Sequence, residues 1–251
     1  MSSLGRSASA AIECRLYLIE VSGQASASLY TFKPSPYSSH SALLAWLPEP
    51  GRGRRVLDLG CAGGRMAAFL ASRGYDVTGV ERPGHAGSDF PREVCLVEAD
   101  LEAGLPPLEG RFDFVLCADV LEHLRNPESL LRQIHGVLAP DGTLLASLPN
   151  SGNLYFRLTV LSGRFPQHDK GLFDRTHLRF YTWDGWRNLL ETSGFQIGAV
   201  QSTGIPVGLA FPTRQNSLAV RAAERVSYEL ARAWKRLFAY QFVVQASLRV
   251  R

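Results

Sequence analysis

The chain has 251 residues, 45% of them hydrophobic, and this length suits one α/β domain with a sizeable core. Its 27 Lys and Arg residues exceed its 23 Asp and Glu residues by only 4, without a long basic run, so the charge argues against a nucleic-acid partner. The 4 cysteines indicate neither a disulfide framework nor a zinc site, and no apolar run is long enough to span a membrane, so we expect a cytoplasmic protein.

The chain begins with an N-terminal extension, residues 1–36, to which the sequence assigns no role. It contains a strand-like stretch at residues 15–21. We expect residues 37–251 to form the main domain.

A buried strand followed by a glycine-rich turn is the most informative motif. Residues 55–59 are apolar around Asp58, as in a parallel strand covered on both faces. Gly60, Gly63 and Gly64 follow at once, and glycines let the backbone pass close to a ligand. A helix pattern comes next. This order predicts a ligand site above the turn.

An acidic residue at the end of the second strand suggests what the ligand carries. Glu81 lies 21 positions after Gly60, close to the roughly 20-residue interval at which such a residue meets a ribose diol. A dinucleotide fingerprint would need a small residue where this chain has Arg65. The pattern therefore favours a nucleoside with a free ribose over a nicotinamide dinucleotide.

The turn resembles the acidic-x-Gly-x-Gly-x-Gly signature of class I S-adenosylmethionine-dependent methyltransferases. The matching positions are Asp58, Gly60, Ala62 and Gly64, and Ala62 departs from the usual Gly by one methyl group. The resemblance implies S-adenosyl-L-methionine as the cofactor. It assigns cofactor binding in this part of the chain to Asp58, Gly60, Cys61, Ala62, Gly64, Glu81 and Arg82.

Later segments continue the alternation of strands and helices. Apolar strands are predicted at residues 94–98 and 112–117, and Asn126-Pro127 begins a helix. Residues 140–142 form a predicted turn into a strand at 143–148. Alternation of this kind predicts a doubly wound, mostly parallel sheet.

The resemblance, which extends over about residues 40–200, also assigns roles at the ends of these strands. It implies that Asp100 and Leu101 contact the adenine, and that Ala118 and Asp119 flank the sulfonium. The sequence at residues 119–124 is similar to that found in the branch of the family that contains small-molecule methyltransferases. Between Glu81 and the third strand, prolines and glycines predict an irregular connection without a helix.

The C-terminal part is expected to complete a seven-stranded sheet. Strands are predicted at residues 195–200 and 238–246, and the resemblance implies that the last one is antiparallel. A helical insertion at about 205–237 separates them. Its helix has an apolar stripe that includes Leu218, Val226 and Leu230, largely opposite several Arg residues. The stripe suits a cap on the protein's own lid, a homodimer contact or a peripheral membrane contact.

The loop at about residues 150–182 is where we expect an acceptor to bind. Its Asp-x-Thr-His-x-Arg-Phe sequence is similar to a motif of methyltransferases from polysaccharide gene clusters and of quinone-methylating relatives. His177 in this motif and His123 after the fourth strand are the candidate catalytic bases. Each could instead be structural, and Asp174 could serve only to hold the loop.

A metal site is a further possibility that we do not expect. Asp119, Glu122 and His123 would share a face if their segment were helical, and similar groups in quinone-methylating relatives are linked to magnesium. Magnesium prefers oxygen ligands, so the imidazole of a histidine is an unfavourable ligand for it.

Three functions follow. The leading one is an S-adenosylmethionine-dependent methyltransferase acting on a hydroxyl of a small molecule or a glycan- or quinone-type acceptor. The others are a catalytically silent cofactor-binding protein that serves a partner enzyme, and a nicotinamide dehydrogenase, against which Arg65 counts.

Overall fold

The computed structural model describes residues 35–210 and 217–249, built around one sheet. The strands are β1 (Arg55–Leu59), β2 (Asp76–Glu81), β3 (Cys95–Glu98), β4 (Phe112–Ala118), β5 (Leu138–Pro149), β6 (Phe195–Ser202) and β7 (Gln241–Leu248). Their order is β3-β2-β1-β4-β5-β7-β6, and β7 runs antiparallel to both of its neighbours. The predicted mostly parallel, seven-stranded sheet is confirmed.

Helices cover both faces of the sheet. They are α1 (Ser39–Ala45), α2 (Arg65–Ser72), α3 (Pro127–Val137), α4 (Leu154–Leu161), α5 (Trp183–Thr192), α6 (Val207–Ala210), α7 (Leu218–Ala233) and α8 (Lys235–Phe238). The start of α3 follows the predicted capping: Asn126 Oδ1 accepts the backbone N–H of Ser129, and Pro127 takes the first helical position.

Alternating side chains of the strands feed two apolar clusters. On one face, Leu57 and Leu144 pack with residues of α3 and α5, including the fully buried Trp186. On the other face, Val56 and Leu145 pack with α1 and α2. Neighbouring strand residues thus enter opposite cores, as the two-residue period of a strand requires.

The sheet changes direction between β1 and β4. From β1 the chain moves outward to β2 and β3, and then returns to place β4 on the other side of β1. Open α/β sheets bind ligands beyond the carboxyl ends of strands at such a switch point. The residues that follow β1 and β4, Gly60 and Asp119, therefore lie where a ligand is expected.

The connection from β2 to β3 is irregular, as predicted. Residues 82–94, all of them described, form turns and bends without a helix. Phe90 and Pro91 fold back against the beginning of α2, where an added Cβ on Gly64 would lie 2.6 Å from Pro91 Cδ. This connection therefore borders the glycine-rich turn.

Two predicted strand boundaries are wrong. The turn expected at residues 140–142 is a bulge within β5, because Leu138 pairs with Phe112 and the next pair is Thr143 with Phe114. Phe238 belongs to α8, and β7 begins only at Gln241. Side-chain amides of Asn150 and Asn153 donate to backbone oxygens of residues 236–239, which holds this segment beside α4 and away from the sheet ladder.

Helix α7 packs through the side that is not its apolar stripe. Its buried residues are Val220 and Ala231, whereas Leu218 and Val226 are 82% and 59% exposed. Gly204 packs closely against the backbone of Tyr228, so the small and polar side of the helix meets the body. Within the described residues, the apolar stripe does not pack on the protein's own lid.

Three further sequence expectations concern the chain as a whole. Cys61 and Cys117 are free and buried, but Cys95 is disulfide-bonded, which cysteine spacing did not indicate. In the part of the chain that the structure describes, no helix is both long enough and apolar enough to cross a bilayer. The N-terminal extension and its strand-like stretch lie outside the described residues up to residue 34.

Candidate functional site

Left-handed backbone shapes the turn after β1. Gly60, Ala62 and Gly64 have φ angles of 68°, 49° and 70°. Only glycine adopts this region freely, which gives a physical reason for Gly60 and Gly64, whereas Ala62 adopts it at a cost of roughly 1 kcal/mol. A Cβ on Gly60 would also lie 3.0 Å from Val120 Cγ2, so the turn is closely backed by the segment after β4.

The carboxylate of Glu81 is fixed beside this turn. Its Oε2 accepts the backbone N–H of Ala62 at 2.7 Å, and its Oε1 accepts that of Arg82 at 2.8 Å. A carboxylate has about four acceptor positions, so each oxygen can take a further bond from a hydroxyl. The arrangement fits the ribose diol of a nucleoside cofactor, and it also keeps Ala62 in its left-handed conformation.

Asp58 and Cys61 are buried under the turn. Burial raises the pKa of Asp58 to about 7, and the nearby Glu81 carboxylate adds to the rise. Burial also raises the pKa of the Cys61 thiol far above its usual range, with Asp58 and Glu81 as further causes. Cys61 is therefore a protonated thiol at neutral pH and packs against Gly79.

Of the two residues predicted to contact adenine, Asp100 lines a groove and Leu101 does not. Arg82 Nη2 is 3.8 Å from Asp100 Oδ1, and this oxygen also accepts the backbone N–H of Glu102. Leu101 is half-buried against the core. The groove is lined by Arg82, Asp100, Glu102, His123, Arg125 and Leu178. It joins the adenine-side residues to one of the two candidate bases.

Asp119 takes an unusual conformation directly after β4. Its φ is 56°, and its Oδ1 accepts hydrogen bonds from Ser147 Oγ at 2.6 Å and from Gln241 Nε2 at 2.5 Å. Ala118 pairs with Ser147 in the sheet. The carboxylate of Asp119 is therefore held at the ends of β5 and β7, and its proposed place beside a sulfonium remains a prediction.

The two candidate bases lie against one another. The rings of His123 and His177 have centroids 4.8 Å apart, and His123 Nδ1 lies 3.1 Å from Thr176 Oγ1. His177 Nε2 is 3.9 Å from Oε1 of the buried Glu122. The structure thus brings together the loop histidine and the histidine after β4, which are 54 positions apart in sequence.

Burial determines the charge of His177. Its pKa is lowered to about 4, chiefly by desolvation and next by the nearby His123, and the opposing influence of Asp174 and Asp119 is smaller. His177 is therefore neutral at pH 7, and its contact with Glu122 is not an ion pair there. The sequence argument assumed a histidine with a pKa near neutrality, and burial overturns that assumption.

Local hydrogen bonds hold the loop that carries His177. The buried Asp174 accepts the backbone N–H and the hydroxyl of Thr176 through Oδ1, at 2.8 and 2.6 Å. Arg175 pairs with Asp169 at 3.0 Å, and Arg179 donates to the backbone oxygen of Arg125. The contacts of Asp174 thus hold the loop, which is the structural role that we considered for it.

An aromatic cluster adjoins this loop. Phe156 and Phe173 stack with centroids 4.4 Å apart. Phe165 packs edgewise on Phe173 and on Phe180, and Phe180 lies tilted against Phe156. Phe180 lies 6.1 Å from the ring of His177, and Phe165 is 51% exposed. The cluster offers an apolar, ring-lined surface next to the candidate bases.

The candidate metal ligands are not those that the sequence grouped. Residues 121–123 form a single 3₁₀ turn, and the Asp119 carboxylate binds Ser147 and Gln241 instead of joining Glu122. Glu122, His123 and His177 have potential ligand atoms within 4.8 Å of one another. Two imidazoles and one carboxylate suit a transition metal better than magnesium. Our expectation of no metal stays a prediction.

Sequence reasoning missed three residues of this site. Ser147 and Gln241 bind Asp119, and Tyr240 lies beneath the acceptor loop, where a Cβ on Gly171 would come 2.7 Å from its hydroxyl. Burial raises the pKa of Tyr240 to about 12, with Asp119 as the next cause. No local motif marks these residues, because only the pairing of β5 with β7 brings them together.

The chain is similar in sequence to a known family and to curated proteins. A family described as a methyltransferase domain matches residues 36–200. The chain is 31% identical over 130 residues to a ubiquinone biosynthesis O-methyltransferase of Azotobacter vinelandii, covering 48% of this chain and 56% of that protein. It is 32% identical over 123 residues to the protein of the same name from Chromobacterium violaceum, covering 45% and 52%. The chain thus spans about half the length of the curated relatives it matches.

Solved structures extend the likeness to most of the chain. Magnesium protoporphyrin IX methyltransferase from Synechocystis PCC 6803, solved with bound S-adenosylhomocysteine, has a TM-score of 0.55 at 18% identity, covering 84% of this chain and 82% of that chain. A methyltransferase from Mesorhizobium loti has a TM-score of 0.56 at 21% identity, covering 83% and 97%. These likenesses show the fold. By its fold, its glycine-rich turn and the family match over residues 36–200, the chain belongs to the class I S-adenosylmethionine-dependent methyltransferase family.

Proposed function

We propose that this chain transfers a methyl group from S-adenosyl-L-methionine to a hydroxyl group of a small-molecule, glycan or quinone-type acceptor. The observation that carries the proposal is the left-handed turn of Gly60 and Ala62 at the switch point, with the carboxylate of Glu81 fixed beside it. Hydroxyl transfer is supported by relatives named as O-methyltransferases. The full set of proposed cofactor contacts is Asp58, Gly60, Cys61, Ala62, Gly64, Glu81, Arg82, Asp100, Leu101, Ala118 and Asp119.

The cofactor supplies an activated methyl group on a sulfonium, and the protein's part is to align the acceptor and to receive its proton. His177, neutral at pH 7, is the proposed base, with His123 beside it. The aromatic cluster of Phe156, Phe165 and Phe173 would bind an apolar or ring-shaped acceptor and keep water from it.

Transfer of a labelled methyl group tests this function. The protein is incubated with S-adenosylmethionine labelled on its methyl group and with catechols, quinols and sugars as acceptors. Labelled ether on one class of acceptor would support the proposal. Binding of the cofactor without transfer to any hydroxyl would favour the catalytically silent alternative, a protein that serves a partner enzyme.

The proposal includes the contacts and location expected from the sequence. The exposed stripe of α7, flanked by Arg221, Arg225 and Arg232, supports either a homodimer contact or a peripheral membrane contact. Light scattering and sedimentation with anionic vesicles distinguish these two. We also propose a cytoplasmic location and no nucleic-acid partner. The proposed domain limits are residues 1–36 for the N-terminal extension and residues 37–251 for the methyltransferase domain.

A further inference from the structure

Asp119 is held in a backbone conformation that its surroundings must maintain. Among the described residues, three that are not glycine have positive φ angles: Arg52, Ala62 and Asp119. Such residues persist where neighbouring contacts fix them, and they concentrate at functional sites. Ala62 belongs to the glycine-rich turn, and Asp119 lies across the switch point from it.

Two side chains from distant parts of the chain fix Asp119. Ser147 Oγ and Gln241 Nε2 donate to the same oxygen, Oδ1, while the backbone N–H of Asp119 donates to Ser147 Oγ at 3.0 Å. Gln241 is itself buried; its backbone oxygen accepts the N–H of Thr203, and its own N–H donates to Thr203 Oγ1. Gln241 lies beyond residues 36–200, so the family match does not include it.

This arrangement fixes a negative charge near the turn. Hydrogen bonds donated to a carboxylate oxygen favour its ionised form. Asp119 follows β4, which pairs with β1, and the next residue, Val120, backs Gly60. In a partly buried site such a charge attracts a cation more strongly than it would in water.

Resting on the proposed function, we propose that Gln241, together with Ser147, is a positioning residue for the methyl-donor site. It holds the Asp119 carboxylate so that the affinity for the positively charged S-adenosylmethionine rises relative to the affinity for the neutral S-adenosylhomocysteine. The two molecules share their adenosine and amino-acid parts and differ by a methyl group and a charge. The ratio of the two affinities therefore reports the effect of the Asp119 charge separately from the contacts that the two molecules share.

Calorimetric titration of the full chain with each of the two molecules tests the proposal. Gln241→Leu removes the donor at similar size, and its ratio of the two affinities should fall by roughly tenfold, the usual worth of a hydrogen bond to a charged group. Asp119→Asn should lower the ratio similarly. Gln245→Leu is the matched control, since Gln245 lies on the same face of β7 without a bond to Asp119, and its ratio should equal that of the wild type.

Each outcome separates the inference from the function on which it rests. If the wild type binds neither molecule, the proposed function itself is contradicted. If it binds both and Gln241→Leu keeps the wild-type ratio, or weakens both affinities equally, Gln241 is only a structural residue and the inference is overturned. Should Gln241→Leu not fold, Ser147→Ala makes the same test with a smaller change.

Discussion

At the scale of single residues, Glu81 both holds the turn and offers acceptors for a ribose. Replacing it by Ala removes the carboxylate that fixes Ala62 and that would bind the diol. We expect Glu81→Ala to weaken S-adenosylhomocysteine binding by about 1.5–3 kcal/mol, or roughly 10- to 150-fold, measured by calorimetry. Glu98→Ala, at the paired position on β3, is the control. Equal affinities of Glu81→Ala and the wild type would remove Glu81 from the site.

Asp58 makes stability depend on pH. Because burial raises its pKa from 3.8 to about 7, the folded state binds more protons than the unfolded chain within this window. The free energy of unfolding therefore falls as pH rises from about 4 to 7, by on the order of 4 kcal/mol over the whole range. Urea denaturation should show Asp58→Asn gaining stability over the wild type across that range. A gain that is the same at pH 4 and pH 7 would contradict this, and Asp89→Asn, in an exposed loop, is the control.

His177 should act on the acceptor without affecting the cofactor. Its Ala variant should keep the affinity for S-adenosylhomocysteine and lose about 10²- to 10⁴-fold in turnover. Because the pKa is about 4, the rate should be level between pH 6 and 8 and should fall only in acid. The folded pKa lies below the usual 6.5, so stability is also lost as pH falls from 6.5 towards 4. A rate limb near pH 6.5, or joint loss of binding and stability in the variant, would assign His177 a different role.

The glycine-rich turn and Glu81 beside it could be predicted from the sequence, whereas the contacts that distant segments make could not. A strand, glycines and an acidic residue at a set interval are local features, and the structure places Glu81 at the turn. Gln241 lies 122 positions from Asp119, and only strand pairing brings the two together. The lowered pKa of His177 depends on burial by distant segments, which spacing does not show.

At the scale of elements, α7 shows that an amphipathic pattern predicts a helix without telling which of its faces packs on the body. Its amphipathic pattern was visible, but the sequence does not reveal which side meets the body. Leu218→Ser on the exposed side should change the free energy of unfolding by less than about 0.5 kcal/mol. Ala231→Asp on the buried side of the same helix should cost about 2 kcal/mol or more, because it buries a charge. Thermal denaturation compares the two, and a larger loss from Leu218→Ser would mean that the stripe is packed after all.

The predicted boundaries of β5 and β7 were wrong because contacts from elsewhere in the chain decide where these strands begin. Asn150 and Asn153 bind backbone oxygens of residues 238 and 239 and delay β7, although its apolar pattern starts earlier. In β5, residues 140–142 form a bulge and not a turn, because Leu138, which precedes them, already pairs with Phe112. Alternation of apolar residues specifies that a strand exists, and contacts from elsewhere specify where it begins.

At the scale of the whole molecule, the sheet order places the turn after β1 and Asp119 after β4 on either side of one switch point. The account depends on this edge of the sheet being a methyl-donor site. Calorimetric titration of the full chain with S-adenosylhomocysteine, and separately with NAD, tests that most directly. We predict saturable binding of one S-adenosylhomocysteine per chain and no binding of NAD, because Arg65 occupies the place where a dinucleotide site needs a small residue. Absence of S-adenosylhomocysteine binding, or saturable binding of NAD in its place, would contradict the account.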